Sequence, residues 1–409
     1  MPTVGDNIGS VRRTLGLTQE DLAERADLHV ATIRKIEQNT QTTPRLATIN
    51  MIARALGTTT SALLGDASNA AARKEPGFRQ VALLDLRKAL TPVHGADGRL
   101  LAAQAEVEPP TMARATEAVR TAEALYGAND FGATLASLPG LLAETRALVE
   151  LASADDQPKA FSLVSQTYQV AARLLVQLRA HDLAYMATIA GRQAAEQSRD
   201  RLTQARAIGP MCWLLLRQAR LAEAEALAVD QADQLEPDRI SRADIADVAA
   251  WGWLLVEASA AAMRDGRDDT AQELLALADV AATRVGSRAS GPMVYGFGTG
   301  KVTALRIESA AIAHNPLRVL ELTAAAPPNP TSMRASCWQR HRLDVAWAHA
   351  QLGQHGEAEN VLADLGDRAP TWLRHQRYAK DVITSISTSR KRAMSDRLAN
   401  LARLVGAAA

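Results

Sequence analysis

Residues 17–57 read LTQEDLAERADLHVATIRKIEQNTQTTPRLATINMIARALG, and their pattern predicts two short helices joined by a tight turn. Thr18 can cap the first of these helices, because Asp21 follows three residues later at the spacing of a capping box. Leu22 and Ala23 would then face inward. The sequence therefore predicts a helix that begins directly after Thr18.

The second helix of this stretch is predicted to run from Val30 to Gln38, after a break at residues 27–29. Its period places Ile33 and Ile36 on the inward side. The same period leaves four side chains outward, which are Val30, Ala31, Arg34 and Lys35. Two short helices with one exposed face on the second are typical of a helix-turn-helix.

Residues 5–65 resemble the DNA-binding domain of phage repressors and Cro proteins, also known as the xenobiotic-response-element type. The matching register comprises Thr18-Gln19, Leu22-Ala23, Ile33, Ile36-Glu37, Pro44 and Ala55-Leu56-Gly57. The resemblance implies an all-α domain of five helices whose third helix enters the major groove of double-stranded DNA. It also implies that Thr18, Gln19, Asn39 and Arg45 contact the DNA backbone, and that Val30, Ala31, Thr32, Arg34 and Lys35 lie at or beside the base edges.

Two positions depart from the pattern of that family. Asp27 stands where the turn normally has glycine, and His29 replaces the usual serine or threonine before the third helix. Aspartate adopts the left-handed conformation more readily than most residues, so we expect the turn to form. His29 is expected to be a weaker cap than serine or threonine.

Other residues of this region are interpreted as structural. The resemblance implies that Glu37 pairs with an arginine of the first helix, which is Arg12 in this sequence. The apolar residues predicted to form the core are Ile8, Val11, Leu15, Leu22, Ile33, Ile36, Ile49, Ile52 and Leu56.

Beyond residue 80 the chain repeats a pattern in which a small residue ends one helix and another small residue follows five positions later. The best copies are Ala219 with Ala224, Gly266 with Ala271, and Gly353 with Ala358. Weaker copies near Ala133, Ala184 and Arg318 give a period of about 40 to 47 residues. This resembles tetratricopeptide repeats, whose usual period is about 34 residues, and predicts an α-helical hairpin solenoid.

Three regions follow from these patterns. Residues 1–66 are predicted to be the helix-turn-helix domain. Residues 67–79 are a predicted linker, since the stretch DASNAAARKEP at 66–76 is small and polar without periodicity. Residues 80–409 are the predicted helical-repeat domain, which would sense an effector and form a homodimer.

A helix break in the repeat region is the candidate effector site. Residues 297–302 (FGTGKV) are similar to a segment that recurs in repeat-bearing regulators of high-GC bacteria. A helix-turn-helix followed by helical repeats also resembles the peptide-responsive quorum regulators, which implies a peptide or small-molecule effector. Because ligand pockets favour converging aromatic side chains, Tyr295 and Phe297 are the candidate ligand-binding residues.

The sequence carries no signature of catalysis. Its eight histidines form no His-Glu-x-x-His pair, and it has no Gly-x-Ser-x-Gly elbow and no dinucleotide fingerprint. Cys212 and Cys337 lack metal-ligand spacing and are predicted to be buried, inert thiols. We therefore expect no enzymatic activity, no metal and no cofactor.

Composition and charge favour a cytoplasmic protein at the nucleoid. No stretch approaches 18 uninterrupted apolar residues, so we expect no membrane contact. The net charge is only +1, so any surface that binds DNA must be local.

The sequence as a whole predicts a dimeric transcription regulator that binds a near-palindromic operator and responds to an effector. The alternative is a protein-interaction scaffold in which the helix-turn-helix contacts protein. The salt dependence of binding separates the two, because only a DNA complex should weaken steeply as ionic strength rises.

Overall fold

The computed structural model describes residues 3–39, 44, 46–56, 58, 63, 77–93, 111–286, 296–325, 334–389 and 395–407. Every regular element within these ranges is a helix, which confirms the predicted all-α class. Four short helices come first: α1 (Val4–Thr14), α2 (Gln19–Arg25), α3 (Val30–Glu37) and α4 (Leu46–Ala55). The predicted fifth helix falls largely outside the described residues, although Leu63 is helical and completely buried.

The residues predicted to form the core of these four helices are buried or half-buried, with one exception that is exposed. Ile8, Leu22, Ile33 and Ile52 are completely buried, and Val11 packs against them while half-buried. The prediction for Leu15 is wrong, because its side chain is 51% exposed. Since α1 ends at Thr14, Leu15 lies in the turn that follows the helix instead of on its inward face.

Sixteen further helices follow within the described residues. They are α5 (Gly77–Leu90), α6 (Met112–Gly127), α7 (Phe131–Leu151), α8 (Gln157–Gln177), α9 (His181–Gln197), α10 (Arg201–Arg217), α11 (Leu221–Asp233), α12 (Ile245–Arg264), α13 (Asp268–Val285), α14 (Thr299–Ile312), α15 (Pro316–Ala325), α16 (Ala335–Gln351), α17 (His355–Arg368), α18 (Pro370–Arg374), α19 (Arg377–Ser389) and α20 (Asp396–Val405). From α6 to α17 the helices form six successive hairpins. Residues 67–76 of the predicted linker lie outside the described residues, and residues 77–79 are the start of α5.

Each hairpin turn has three residues, and the second of them has a positive φ. These residues are Asn129, Arg179, Ala219, Gly266, His314 and Gly353. The left-handed conformation ends the first helix and lets its last carbonyl groups accept hydrogen bonds from the turn. Five positions later the second helix buries a small or β-branched side chain, namely Thr134, Ala184, Ala224, Ala271, Val319 and Ala358. This confirms the strong and the weak predicted copies, although the turn residues are 39 to 50 positions apart, a wider range than predicted.

In the second to sixth hairpins the first helix is more deeply buried than the second. In α12, for example, fourteen residues are buried, among them Trp251, Leu254 and Leu255. Close packing depends on glycine here, because a Cβ on Gly252 would overlap the ring of Phe297. Among the described residues, α12 is the one helix long and apolar enough to cross a membrane, but 72% of it is buried inside the protein. The apolar character of α12 is therefore explained by packing.

The two cysteines differ in environment. Cys212 is completely buried, as predicted, and burial raises the pKa of its thiol. Cys337 is only half-buried, and its Sγ lies 3.9 Å from Lys301 Nζ. The prediction of a buried thiol is therefore confirmed for Cys212 and wrong for Cys337, which lies near the start of α16.

The N-terminal helices dock on the turns of the hairpin array. Asn50 Nδ2 in α4 donates a hydrogen bond to the carbonyl oxygen of Arg264 at 3.2 Å, and the Asn50 side chain is buried. Arg54 pairs with Asp265 at 2.5 Å, and Ala219 packs against the apolar core of the four helices. The turns after α10 and α12 thus form the seat of the N-terminal region.

Candidate DNA-binding surface

The start of α2 is fixed by the predicted capping box. The backbone N–H of Asp21 donates to Thr18 Oγ1 at 3.0 Å, and the backbone N–H of Thr18 donates to Asp21 Oδ2 at 2.8 Å. These hydrogen bonds stabilise the carboxylate and lower the pKa of Asp21. Thr18 itself is exposed, so the beginning of α2 faces solvent.

Asp27 replaces glycine in the turn without changing its geometry. Its φ is +50°, in the left-handed region that the turn requires. The N–H of Leu28 donates to the carbonyl oxygen of Ala23 at 2.9 Å, and the N–H of Asp27 donates to that of Glu24 at 3.2 Å. This pair of bonds is a Schellman motif. The expectation that the turn forms with Asp27 is confirmed.

His29 caps α3 with its ring. The Nδ1 atom accepts a hydrogen bond from the backbone N–H of Ala31 at 3.3 Å, and the backbone of His29 is extended. The distance is at the long end of hydrogen-bond geometry, which agrees with the expectation of a weaker cap.

The outward face of α3 presents the predicted base-reading residues. Ala31, Arg34 and Lys35 are exposed, whereas Ile33 and Ile36 are buried beneath them. Val30 and Thr32 are half-buried, and Val30 packs partly against the core. The face that could enter a groove is therefore centred on Ala31, Arg34 and Lys35.

Arg34 already has a carboxylate partner on the neighbouring helix. Its Nη2 lies 2.5 Å from Glu20 Oε1, and the two side chains are 51% and 59% exposed. Exposed pairs of this kind contribute about 0 to 1 kcal/mol, so exchange of Glu20 for a DNA acceptor would cost little. The pair joins the exposed face of α3 to α2.

Glu37 joins the first three helices. Its carboxylate accepts two hydrogen bonds from Arg12, at 2.7 Å and 2.9 Å, and a third from Gln19 Nε2 at 2.7 Å. Burial alone would raise the pKa of Glu37, but the hydrogen bonds from Arg12 and Gln19 lower it. The implied pairing of Arg12 with Glu37 is confirmed, and it makes the position of α3 depend on α1 and α2.

Gln19 is involved in this network as well as being a predicted phosphate contact. Its amide nitrogen has two hydrogens, and the bond to Glu37 uses one of them. The other can be donated to a phosphate oxygen at the start of α2, where the helix dipole also favours negative charge. The geometry is compatible with both roles.

Asn39 ends α3 and ties it to the N-terminus of α1. Its φ is +58°, and its side-chain amide donates to Asp6 Oδ1 at 3.3 Å while its oxygen accepts from Thr3 Oγ1. Gly5 makes this contact possible, because a Cβ there would overlap the carbonyl oxygen of Ile36. Sequence reasoning missed Thr3 and Gly5, although residues 3–6 have the spacing of a capping box.

Two predicted site residues, Arg45 and Tyr295, lie outside the described residues. Phe297, predicted to contact an effector, is completely buried and packs over Gly252 between the helices. In this structure Phe297 is a core residue. Thr18, Ala31, Arg34 and Lys35 are exposed and Gln19 is half-buried, whereas Phe297 lies in the core of the hairpin array.

Comparison with known proteins agrees with this geometry for the N-terminal helices only. Residues 8–63 match the family model for the helix-turn-helix. No curated protein and no solved structure matches the chain. The stretch 8–63 is therefore a helix-turn-helix domain similar to those of phage repressors and Cro proteins, and it precedes an array of helical hairpins.

Proposed function

We propose that this protein is a sequence-specific, DNA-binding transcription regulator whose hairpin array forms a homodimer and binds an effector. The observation that supports the proposal most strongly is the exposed face of α3, where Arg34 and Lys35 project beside Ala31. An α-helix is about 10 to 12 Å in diameter, which suits the width of the major groove, and the eight residues of α3 would extend about 12 Å along it.

Arg34 and Lys35 are suited to different parts of a DNA site. A guanidinium or ammonium group can donate to O6 and N7 of guanine, and the small side chain of Ala31 can approach a thymine methyl group. Gln19 and Thr18, at the N-terminus of α2, would contact a phosphate in this proposal. Base reading by α3 and backbone contact by α2 together define an orientation on the duplex.

A single domain of this size reads few base pairs, so useful specificity needs two copies on a near-palindrome. Recognition helices of such dimers are about 34 Å apart, one turn of DNA. We propose that the hairpin array sets this distance, since α4 is seated on its turns through Asn50 and Arg54. Movement of those turns would then move α3 relative to its counterpart in the second copy.

Selection from a random duplex pool by the full chain tests the proposal. We expect an enriched near-palindrome with half-sites about one helical turn apart. Sedimentation of the complex should give two chains per duplex. A pool that shows no enrichment, with or without cell extract, would favour the scaffold alternative and a cytoplasmic role unrelated to DNA.

A further inference from the structure

The first and the last hairpin of the array contact each other. Counted along the chain, the first hairpin is α6 with α7 and the sixth is α16 with α17. Asn129, in the turn of the first hairpin, donates from Nδ2 to Gln339 Oε1 in α16 at 3.2 Å, across 210 positions of the sequence. The stack of hairpins therefore returns on itself.

Two further contacts join the same parts of the array. Gln376, which follows α18, donates from Nε2 to Oε1 of Gln177, the last residue of α8, at 3.4 Å. The rings of Phe131 in α7 and His375 have their centroids 5.8 Å apart. The first two hairpins thus meet α16 and the residues that follow α18. We call this join the latch; its members are Asn129, Phe131, Gln177, Gln339, His375 and Gln376.

The apolar core agrees with a closed array. One cluster of buried side chains contains Phe131 and Leu135 of the first hairpin together with Leu373 of α18. The buried apolar side chains of the fourth hairpin that the structure describes belong to other clusters, which include Trp251 and Leu254. The core that links the two ends of the array therefore leaves out the fourth hairpin, as expected for a ring.

Buried amide side chains mark the places where distant parts of the chain meet. Within the described residues the buried amide side chains are those of Asn50, Asn129, Gln169, Gln339 and Gln376. Three of these five belong to the latch, and Asn50 joins α4 to the carbonyl oxygen of Arg264. The exception is Gln169, which bonds to Ser165 within α8. The latch and the seat of the helix-turn-helix are therefore built from the same kind of contact.

Neutral amides suit a join that opens and closes. Their hydrogen bonds add little net stability, because water replaces each partner when the amides separate. In the closed ring the same amides require one register, since a buried amide without a partner is costly. Closing the latch also desolvates no charge of these amides. The latch therefore specifies one closed arrangement, and its polar contacts are released at little cost.

The helix-turn-helix is seated on the middle of the array, away from the latch. Asn50 and Arg54 of α4 bind the turn of the fourth hairpin, and Ala219, in the turn of the third, packs against the core of the N-terminal helices. Four hairpins thus lie outside this middle pair, two on each side. A ring that opens at one join must change the angles between its remaining hairpins, and the seat spans one such angle.

Ion pairs connect the seat to both hairpins of the middle pair. Asp265, which binds Arg54, also lies 3.2 Å from Arg267 Nε. Arg267 in turn donates from Nη1 to Glu225 Oε1 of α11 at 2.8 Å. A rotation of the third hairpin against the fourth would pull on this chain of side chains and thereby on the carboxylate that holds Arg54.

We propose that the hairpin array is a ring closed by the latch, and that opening of the latch is the conformational change through which the array acts on the helix-turn-helix. Opening rotates the third hairpin against the fourth and displaces Asp265 beneath α4. The regulatory half of this inference rests on the proposed function, whereas the opening of the latch does not.

Pulsed electron paramagnetic resonance of the full chain tests the opening. Ala128→Cys and Arg374→Cys give attachment points for spin labels at exposed positions beside the latch, and Cys337→Ser removes the half-buried native thiol. Cys212 is completely buried and stays in place. In this labelled parent we expect mainly one short distance. A parent in which a long distance dominates would overturn the closed ring.

The latch variant combines Gln177→Ala with Gln339→Ala in the labelled parent. Both substitutions lie in helices and leave the left-handed turn at Asn129 unchanged. The ratio of long to short distances should rise at least about tenfold, because Asn129 would lack a partner in the closed ring. The matched control, Gln193→Ala with Gln351→Ala, changes exposed glutamines of α9 and α16 and should give the distances of the parent. An unchanged distribution in the latch variant would overturn the latch.

A flexible bismaleimide that bridges the two introduced cysteines tests the coupling to DNA. Without the bridge, the latch variant should differ from the parent at least about fivefold in affinity for the duplex selected from the random pool. With the bridge, it should regain the affinity of the parent. Equal affinities of the bridged and the unbridged latch variant would overturn the coupling.

The failure of this inference and the failure of the proposed function give different results. A chain whose label distances shift in the latch variant but which selects no DNA would retain the latch and contradict the regulator. A chain that binds its selected duplex while the distances stay short in every variant would contradict the latch alone.

Discussion

The helix-turn-helix and the hairpin array use the same residue types in opposite surroundings. Arg34 of α3 is 51% exposed and pairs with an equally exposed Glu20, whereas Arg264 and Glu308 are each 16% exposed. An exposed pair costs little to exchange, while an enclosed cation that loses its partner stays desolvated. The comparison teaches that Arg34 can change partners at little cost, whereas Arg264 cannot lose Glu308 without a large penalty.

The largest expected effect is on stability, when the enclosed ion pair of Arg12 with Glu37 in the helix-turn-helix is broken. Arg12 and Glu37 are 11% and 8% exposed, so Arg12→Ala should lower the free energy of unfolding by about 3 kcal/mol. Hydrogen exchange of α1 to α3 measures the loss locally. The contribution of the pair is present at neutral pH and is lost as the pH falls through the lowered pKa of Glu37.

Glu20→Ala is the matched control for this prediction, because it removes an exposed carboxylate from the same helices. It should change stability by less than about 1 kcal/mol. Equal losses of stability in Arg12→Ala and Glu20→Ala would mean that burial does not make one ion pair more important than the other.

The second effect concerns DNA affinity and not stability. The double substitution Arg34→Ala, Lys35→Ala should reduce operator affinity by about a hundredfold or more, since each side chain is placed for a base or phosphate. Fluorescence anisotropy with the selected duplex measures it. Arg120→Ala should leave affinity unchanged, and an unaltered double variant would show that α3 does not read DNA.

Much of the helix-turn-helix could be predicted from the sequence because its determinants are local. The Thr18 capping box and the Asp27 turn lie within a few residues of their partners, and the pairing of Arg12 with Glu37 followed from family resemblance. The hairpin turns were predictable for the same reason. Leu15 was misassigned because α1 ends at Thr14, one residue before it.

The remaining features depend on contacts between distant parts of the chain. Glu308 pairs with Arg264 and with Arg340, which belong to two other hairpins, and no spacing in the sequence encodes these contacts. The seat of α4 likewise joins Asn50 to Arg264 across more than two hundred residues. The burial of Phe297 was not predicted, because it depends on Gly252 in a different hairpin, a contact that no local pattern encodes.

The third prediction concerns the enclosed carboxylates. Burial raises the pKa of Asp344 to about 7, so between its ordinary value near 4 and pH 7 the folded chain holds a proton that the unfolded chain has lost. The contribution of Asp344 to stability therefore falls as pH rises through this range. Asp344→Asn has no charge to bury and should gain about 1 kcal/mol or more relative to the wild type between pH 4 and pH 8.

Denaturant unfolding of both proteins at several pH values checks this prediction. Subtracting the two free energies of unfolding at each pH cancels the effect of all the groups that titrate in both proteins. A difference that stays constant with pH would show that Asp344 keeps its charge inside the hairpin array.

The smallest expected effect is on stability, when glycine replaces a residue of positive φ in one turn from each region. Arg199, in the turn between α9 and α10, has φ +53° and an exposed side chain, so Arg199→Gly should raise stability by about 1 kcal/mol. Asp27→Gly should raise it by less, because aspartate tolerates the left-handed region better than arginine does. Thermal unfolding of the two variants measures these gains in stability. A larger gain for Asp27→Gly would show that the turn in the helix-turn-helix is the more strained.

The most direct test of the proposed function is the salt dependence of operator binding by the wild type and by Lys35→Ala. We predict that wild-type affinity falls about a thousandfold between about 50 and 200 mM salt, as several phosphate contacts require, and that the slope decreases by about one in Lys35→Ala if Lys35 contacts a phosphate. An affinity that hardly changes with salt, or wild-type and variant lines that coincide, would contradict the assignment of α3 as the DNA-reading helix.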